Sequence, residues 1–160
     1  MPVETDPIIA RVHKTIPASA ARVFEAWTEP EQLGRWAWGA DRKAWARVDL
    51  RVGGRYVVGL PVEPGSDGWE GDVWAMTGHY VEIVPARRLI YTVRWDAPVV
   101  YNQAGEPVLD EIIDVRFEDV ANGCTIEHAH IGIPLVEAAR EHLRAVDQTL
   151  DVLAQLVTGD

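Results

Sequence analysis

Cys124 is the only cysteine in the 160 residues, so no internal disulfide can form. A lone thiol suits a reducing compartment. Serine is nearly as scarce: Ser19 precedes a helical pattern and Ser66 sits in a Gly-Ser-Asp loop, so neither has the surroundings of an activated nucleophile. Cys124 adjoins a turn signal with no His placed near it by local sequence, which leaves a Cys–His pair unsupported. Positive charge is also short. Against 25 Asp and Glu stand 15 Lys and Arg, and the net charge of -10 repels phosphate backbones and anionic lipid head groups. Nucleic-acid and membrane-surface partners are therefore not expected. No stretch approaches the roughly 18 consecutive apolar residues of a membrane span. The N-terminal Met-Pro-Val-Glu-Thr-Asp-Pro lacks a basic region followed by an apolar run, so a cytoplasmic protein is expected. No Gly-rich loop opens a helix, which argues against nucleotide binding. With no internal repeat or linker, the length predicts one domain over residues 1–160. A domain of this size buries about 70% of its unfolded surface and needs no disulfide or metal to fold.

What the chain has in excess is tryptophan: Trp27, Trp36, Trp38, Trp45, Trp69, Trp74 and Trp95. Each buried indole needs a partner for its N–H, so this number fits either a large aromatic core or an aromatic-lined pocket.

Periodicity gives the order of elements. Residues 8–16 alternate as a strand with Ile8, Ala10, Val12 and Ile16 on one face, and Pro17 ends it. Ser19 caps a helix over Ala20–Trp27, and Pro30 opens a second, short helix ending near Trp36. The period then falls to two. Strands are predicted over 47–51, 55–60, 73–84, 88–97, 109–118 and 125–133, with a loop at 61–72 and a hairpin turn at Asn122-Gly123. From residue 134 to 158 neither Gly nor internal Pro appears. Ala139, Leu143, Val146, Leu150, Leu153 and Val157 form one apolar helical stripe, and Gly159 stops it. The expectation is an α+β fold with an antiparallel sheet of about six to seven strands wrapped around a long C-terminal helix.

A curved sheet cannot lie flush on a straight helix, so a space is expected between them. Strand parity assigns Tyr56, Val58, Leu60, Trp74, Met76, Tyr80, Tyr91, Val93, Trp95, Ile113, Val115, Phe117, Ile126, His128 and His130 to the inner face. The helix adds Leu143, Val146 and Leu150. From these and Trp38 we take the candidate ligand-binding residues: Trp38, Tyr56, Trp74, Met76, Tyr80, Tyr91, Trp95, Phe117, His128, His130, Leu143, Val146 and Leu150.

His128 and His130, two apart on a strand, leave the same face. They could anchor a ligand carbonyl or hydroxyl, act as general acid and base, or simply be satisfied by neighbouring strands. A metal is rejected because no third ligand is identifiable. Parity sends Glu111 inward near a strand end and Asp114 outward. A desolvated Glu111 would be an acid–base candidate, but the simpler expectation is a carboxylate reaching water at the cavity mouth. No catalytic constellation is identified; His128, His130 and Glu111 are the candidate acid–base groups. No cofactor is expected.

The stretch from Pro17 to Leu33 followed by Arg35-Trp36 resembles the opening signature of the SRPBCC (START-like, helix-grip) superfamily. Its nearest branch is the one named for homology to the activator of the Hsp90 chaperone ATPase. Residues 49–56, Asp-Leu-Arg-Val-Gly-Gly-Arg-Tyr, and the hairpin of 78–85 with 88–92 are similar to later motifs of that branch. The resemblance covers nearly the whole chain and implies a helix-grip fold with an internal cavity whose entrance lies near Trp38. Two departures stand out: the family's last helix usually carries Gly-Trp where this chain has Ala145-Val146, and its last strand tends to carry an aliphatic residue where this chain has His128. The 61–72 loop is also longer. The resemblance implies binding of a small hydrophobic, aromatic or lipid-like molecule. Alternatives are a cyclase- or hydrolase-like enzyme using the cavity His and Glu, and a chaperone ATPase-activator-like interaction module. The short chain, with no second chaperone-contacting segment, argues against the last. A homodimer through a strand edge or the Trp-rich loop stays open.

Overall fold

The computed structural model describes residues 9–39, 44–60, 75–96, 110–133 and 136–159. The elements run β1 (Ile9–Ile16), α1 (Ala20–Thr28), α2 (Pro30–Trp36), β2 (Trp45–Val48), β3 (Arg55–Gly59), β4 (Ala75–Val84), β5 (Arg88–Asp96), β6 (Glu111–Val120), β7 (Gly123–Ile131) and α3 (Val136–Thr158). The seven strands form one antiparallel, open and curved sheet in the order β1-β7-β6-β5-β4-β3-β2. This is the expected α+β helix-grip architecture. Among the described residues, no helix is long and apolar enough to cross a membrane.

Local chemistry explains the two short helices. Ser19 is extended and its hydroxyl accepts from the Arg22 amide at 3.1 Å, while the Asp119 carboxylate accepts from the Ala20 amide at 2.8 Å. Such a cap contributes about 1 kcal/mol. The helix buries Val23, Phe24 and Trp27 against the sheet. Pro30 starts α2, and the Trp36 indole N–H donates to the Ala26 carbonyl at 2.9 Å, locking the helices together.

Several strand boundaries differ from the sequence expectation, β6 running to Val120 rather than 118 and β7 from Gly123 to Ile131 rather than 125–133. The second strand covers Trp45–Val48 rather than 47–51, because the Asp49 amide bonds the Arg55 carbonyl and the Gly54 amide bonds the Arg51 carbonyl, closing a tight turn there. The β6–β7 loop is Ala121-Asn122, with Val120 paired to Gly123. Gly123 has φ of 146°, and a Cβ there would lie 2.0 Å from the Ile16 carbonyl oxygen. A side chain is excluded on both counts.

A register shift between Tyr80 and Glu82 in β4 adds one residue, so the inward face passes from Tyr80 to Ile83. Helix α3 comes closest to β1 on one side and to α1 and α2 on the other. Leu150 and Leu153 on it are buried. Lys14 of β1 bonds Asp147 at 2.9 Å and also Asp151, fastening the helix to the edge strand. Burial pulls the Lys14 pKa down, but the two carboxylates outweigh it and raise the net value.

Candidate functional site

The interior has a filled end and an open end. In the filled end, Phe24, Trp27 and Phe117 meet edge to face, with Phe117 at 5.7 Å from Phe24 and 5.5 Å from Trp27. Tyr56, Tyr80 and Tyr91 form a second aromatic cluster with centroids 5.3 to 6.2 Å apart. The Tyr56 hydroxyl donates to the Thr92 carbonyl at 2.6 Å. Only about 20 Å³ remains among Trp27, Leu33, Met76 and these tyrosines.

Beyond Tyr91 the close ring-to-ring packing ends and space opens. A cavity of about 520 Å³ lies between α2 with its following turn, the middle of α3 and the inner face of the sheet. That is within the range of small-molecule sites. Its lining is mostly apolar. The helical side brings Trp27, Leu33, Trp36 and Trp38, and α3 brings Ala145, Val146, Thr149, Leu150 and Val152. The sheet brings Met76, Tyr91, Ile113, His128 and His130.

Cross-strand register explains the sheet wall. Tyr91 stands opposite Ile113, and Ile113 opposite His130, so the three form one row across β5, β6 and β7. His128 belongs to the next row, flanked by Val12 and Val115. The Trp27 indole N–H donates to the Tyr91 hydroxyl oxygen at 3.1 Å, which holds the phenol against the cavity. Burial pushes the Tyr91 pKa well up, so it stays a neutral O–H. The Trp38 indole donates to the Val58 carbonyl at 3.1 Å, turning that ring onto the cavity wall.

The polar part of the wall is compact. His130 Nε2 lies 2.8 Å from Glu111 Oε1, with both residues buried. The expectation that Glu111 reaches water is corrected here: inward parity carries it under the neighbouring strand to His130 instead. Asp114 points outward and accepts from Arg88 at 2.9 Å. His128 is 5% exposed, and its Nδ1 has no hydrogen-bond partner among the described residues. Burial above all, and then His130, lower the His128 pKa to about 3, so the ring is neutral at ordinary pH. The Cys124 thiol is pushed up to about 11 by burial and Asp119, so it is protonated and unreactive. Among the described residues no three His, Cys, Asp or Glu side chains come together as a metal site.

Of the residues singled out from sequence, Trp38, Met76, Tyr91, His128, His130, Val146 and Leu150 line this cavity. Tyr56, Tyr80 and Phe117 face inward but belong to the packed clusters. Leu143 is half-buried on α3, outside this lining. Trp74 and the Trp95 side chain lie outside the described residues. Ile113, placed on the inner face by parity, also lines it, whereas the helical Trp27, Leu33 and Trp36 were not anticipated as lining. Their apolar character and spacing were visible, but which helix face overlooks the gap is decided by the α1–α2 angle.

The sequence model described as Activator of Hsp90 ATPase homolog 1-like protein matches residues 17–158. The chain belongs to that family. Solved structures agree on the fold of this Hsp90-activator-homologue family member. A crystal structure of a Chromobacterium violaceum protein is 26% identical, covers 95% of this chain and 98% of its own, and superposes with a TM-score of 0.73. A Staphylococcus aureus protein described as of unknown function is 17% identical, with coverage of 98% and 96% and the same TM-score of 0.73. The solution structure of an AHSA1-like protein from Aeromonas hydrophila is 19% identical, with coverage of 94% and 92% and a TM-score of 0.67. No curated protein matches this sequence. Within the family frame, both departures noted from sequence, Ala145-Val146 and His128, fall on the cavity wall.

Proposed function

We propose that this protein binds one small hydrophobic molecule, aromatic or lipid-like, in the cavity between α2, α3 and the sheet. The observation that carries the reading is a space of about 520 Å³ bounded by indole, aliphatic and phenol groups in a core otherwise packed ring to ring. The space is partly open to the outside, and its apolar wall would bury much of a small ligand's surface, the main drive for such binding. The test is titration with N-phenyl-1-naphthylamine, an uncharged dye that brightens in apolar surroundings. Saturable one-to-one binding with a raised melting temperature supports the reading. Val146→Trp, which fills the space from α3, should abolish it. Absence of saturable binding to the wild-type protein contradicts it.

A second reading, acid–base chemistry on the bound molecule, is favoured by the buried Glu111–His130 pair on the same wall. It requires turnover that disappears in His130→Ala while the fold and dye binding persist. The family name raises a third, stimulation of a chaperone ATPase. An unchanged Hsp90 ATPase rate at saturating concentrations of this protein removes it.

A further inference from the structure

We propose that the cavity selects uncharged molecules bearing a hydroxyl group, with His128 as the hydrogen-bonding anchor, so that alcohols and phenols bind in preference to plain hydrocarbons and to carboxylates. The inference rests on the cavity-binding reading above and specifies the chemistry of its ligand.

The argument starts from the place of His128 in the sheet. Its cross-strand neighbours are Val12 and Val115, and its ring lies 6.2 Å from that of Trp27, tilted by 34°. An aliphatic side chain would suit this row and would leave no polar atom to satisfy. Instead an imidazole is buried there, and its Nδ1 has no partner among the described residues. Buried polar atoms are almost always paired, and His128 lines the cavity, so the missing partner points to one that arrives with the ligand. Nδ1 itself is covered by its neighbours as the ring stands, so a ligand oxygen reaches it when the imidazole turns about its side-chain torsions toward the cavity.

The character of that partner follows from hydrogen-bond inventory. A neutral imidazole carries one N–H and one bare nitrogen, and the tautomer decides which of them Nδ1 is. A ketone or ether oxygen can only accept, whereas a hydroxyl can donate or accept and so pairs with Nδ1 in either tautomer. A second group favours an oxygen on the ligand. The Tyr91 hydroxyl oxygen accepts from the Trp27 indole, which leaves the phenolic proton for another acceptor, and Tyr91 lines the cavity where a ligand oxygen can supply one.

Charge selectivity follows from the rest of the lining. Among the described lining residues there is neither Lys nor Arg, and His128 is neutral. A carboxylate entering this space would lose its water without gaining a cation, and it would approach the side of the cavity where Glu111 is held against His130. An uncharged hydroxyl has no such cost.

The experiment is calorimetric titration of the wild-type protein at pH 7.5 with three probes of one ring size: naphthalene, 2-naphthol and 2-naphthoate. We expect 2-naphthol to bind about tenfold or more tighter than either of the others. In His128→Leu the ratio of 2-naphthol to naphthalene affinity should fall to within about twofold. Equal binding of 2-naphthol and naphthalene by the wild-type protein, tightest binding of 2-naphthoate, or an undiminished ratio in His128→Leu overturns the hydroxyl anchor while leaving cavity binding intact. Binding of none of the three overturns the cavity reading itself, and this inference with it. The wild-type ranking is decisive without the variant, should His128→Leu fail to fold.

Discussion

Glu111 on β6 and His130 on β7 hold each other at 2.8 Å, Oε1 to Nε2, beside a cavity lined mostly by apolar groups. Truncating one partner of a buried polar pair removes a hydrogen bond from the other, so Glu111→Ala should lower stability by about 2 kcal/mol in urea denaturation. Replacing both with leucine should recover most of that loss. A cycle in which the two substitutions add independently would show that the pair is not coupled.

His128 gives a pH dependence with a defined sign. Its folded pKa of about 3 lies below the ordinary imidazole value of 6.5. Above pH 6.5 both folded and unfolded forms are neutral, and the group has no effect. Below it the unfolded chain gains a proton that the folded protein refuses, so stability falls as pH drops from 6.5 toward 3. At pH 5 the penalty is about 2 kcal/mol. The stability of His128→Leu relative to wild type should therefore rise by that amount between pH 7 and pH 5. A difference that stays constant over this interval contradicts the buried, neutral ring.

The Lys14 clamp holds the edge strand to the cavity-lining part of α3. The lysine side chain is mostly covered, but Asp147 and Asp151 are more than half exposed, so solvent screens the pairs. Lys14→Met should cost about 1 kcal/mol at low salt and markedly less in 0.5 M NaCl, taken as an ionic strength well above about 0.15 M. Insensitivity of that difference to salt would mean that the contact acts through packing rather than charge.

Gly78 lets β4 pass close to β5. A Cβ at this position would lie 1.9 Å from the Thr92 carbonyl oxygen, the same oxygen that accepts from Tyr56. Gly78→Ala should cost about 2 kcal/mol and speed amide exchange in both strands. Unaltered stability would show that the β4–β5 ladder adjusts freely there.

Much of the fold was legible from local signals. Ser19, Pro30 and the Gly-free stripe of α3 located the helices, and period-two alternation located most of the strands with their inward faces. Parity also placed His128 and His130 together and Glu111 on their side of the sheet. It could not pair Glu111 with His130, because that contact depends on the register of β6 against β7. Nor could it separate Tyr91, which overlooks space, from Tyr56 and Phe117, which do not. Parity names a face, while the distance to whatever lies opposite is set by how α1, α2 and α3 rest on the sheet. The bulge after Tyr80 likewise shifts the inward set by one residue without a marked sequence signal.

The most direct test is a crystal structure of the protein grown with 2-naphthol. The account predicts one molecule between α3 and the inner face of the sheet, its rings against Trp36 and Val146 and its oxygen within hydrogen-bonding distance of His128. A cavity closed by collapse of Trp38 or α3, or a ligand found only on the outer surface, would contradict it.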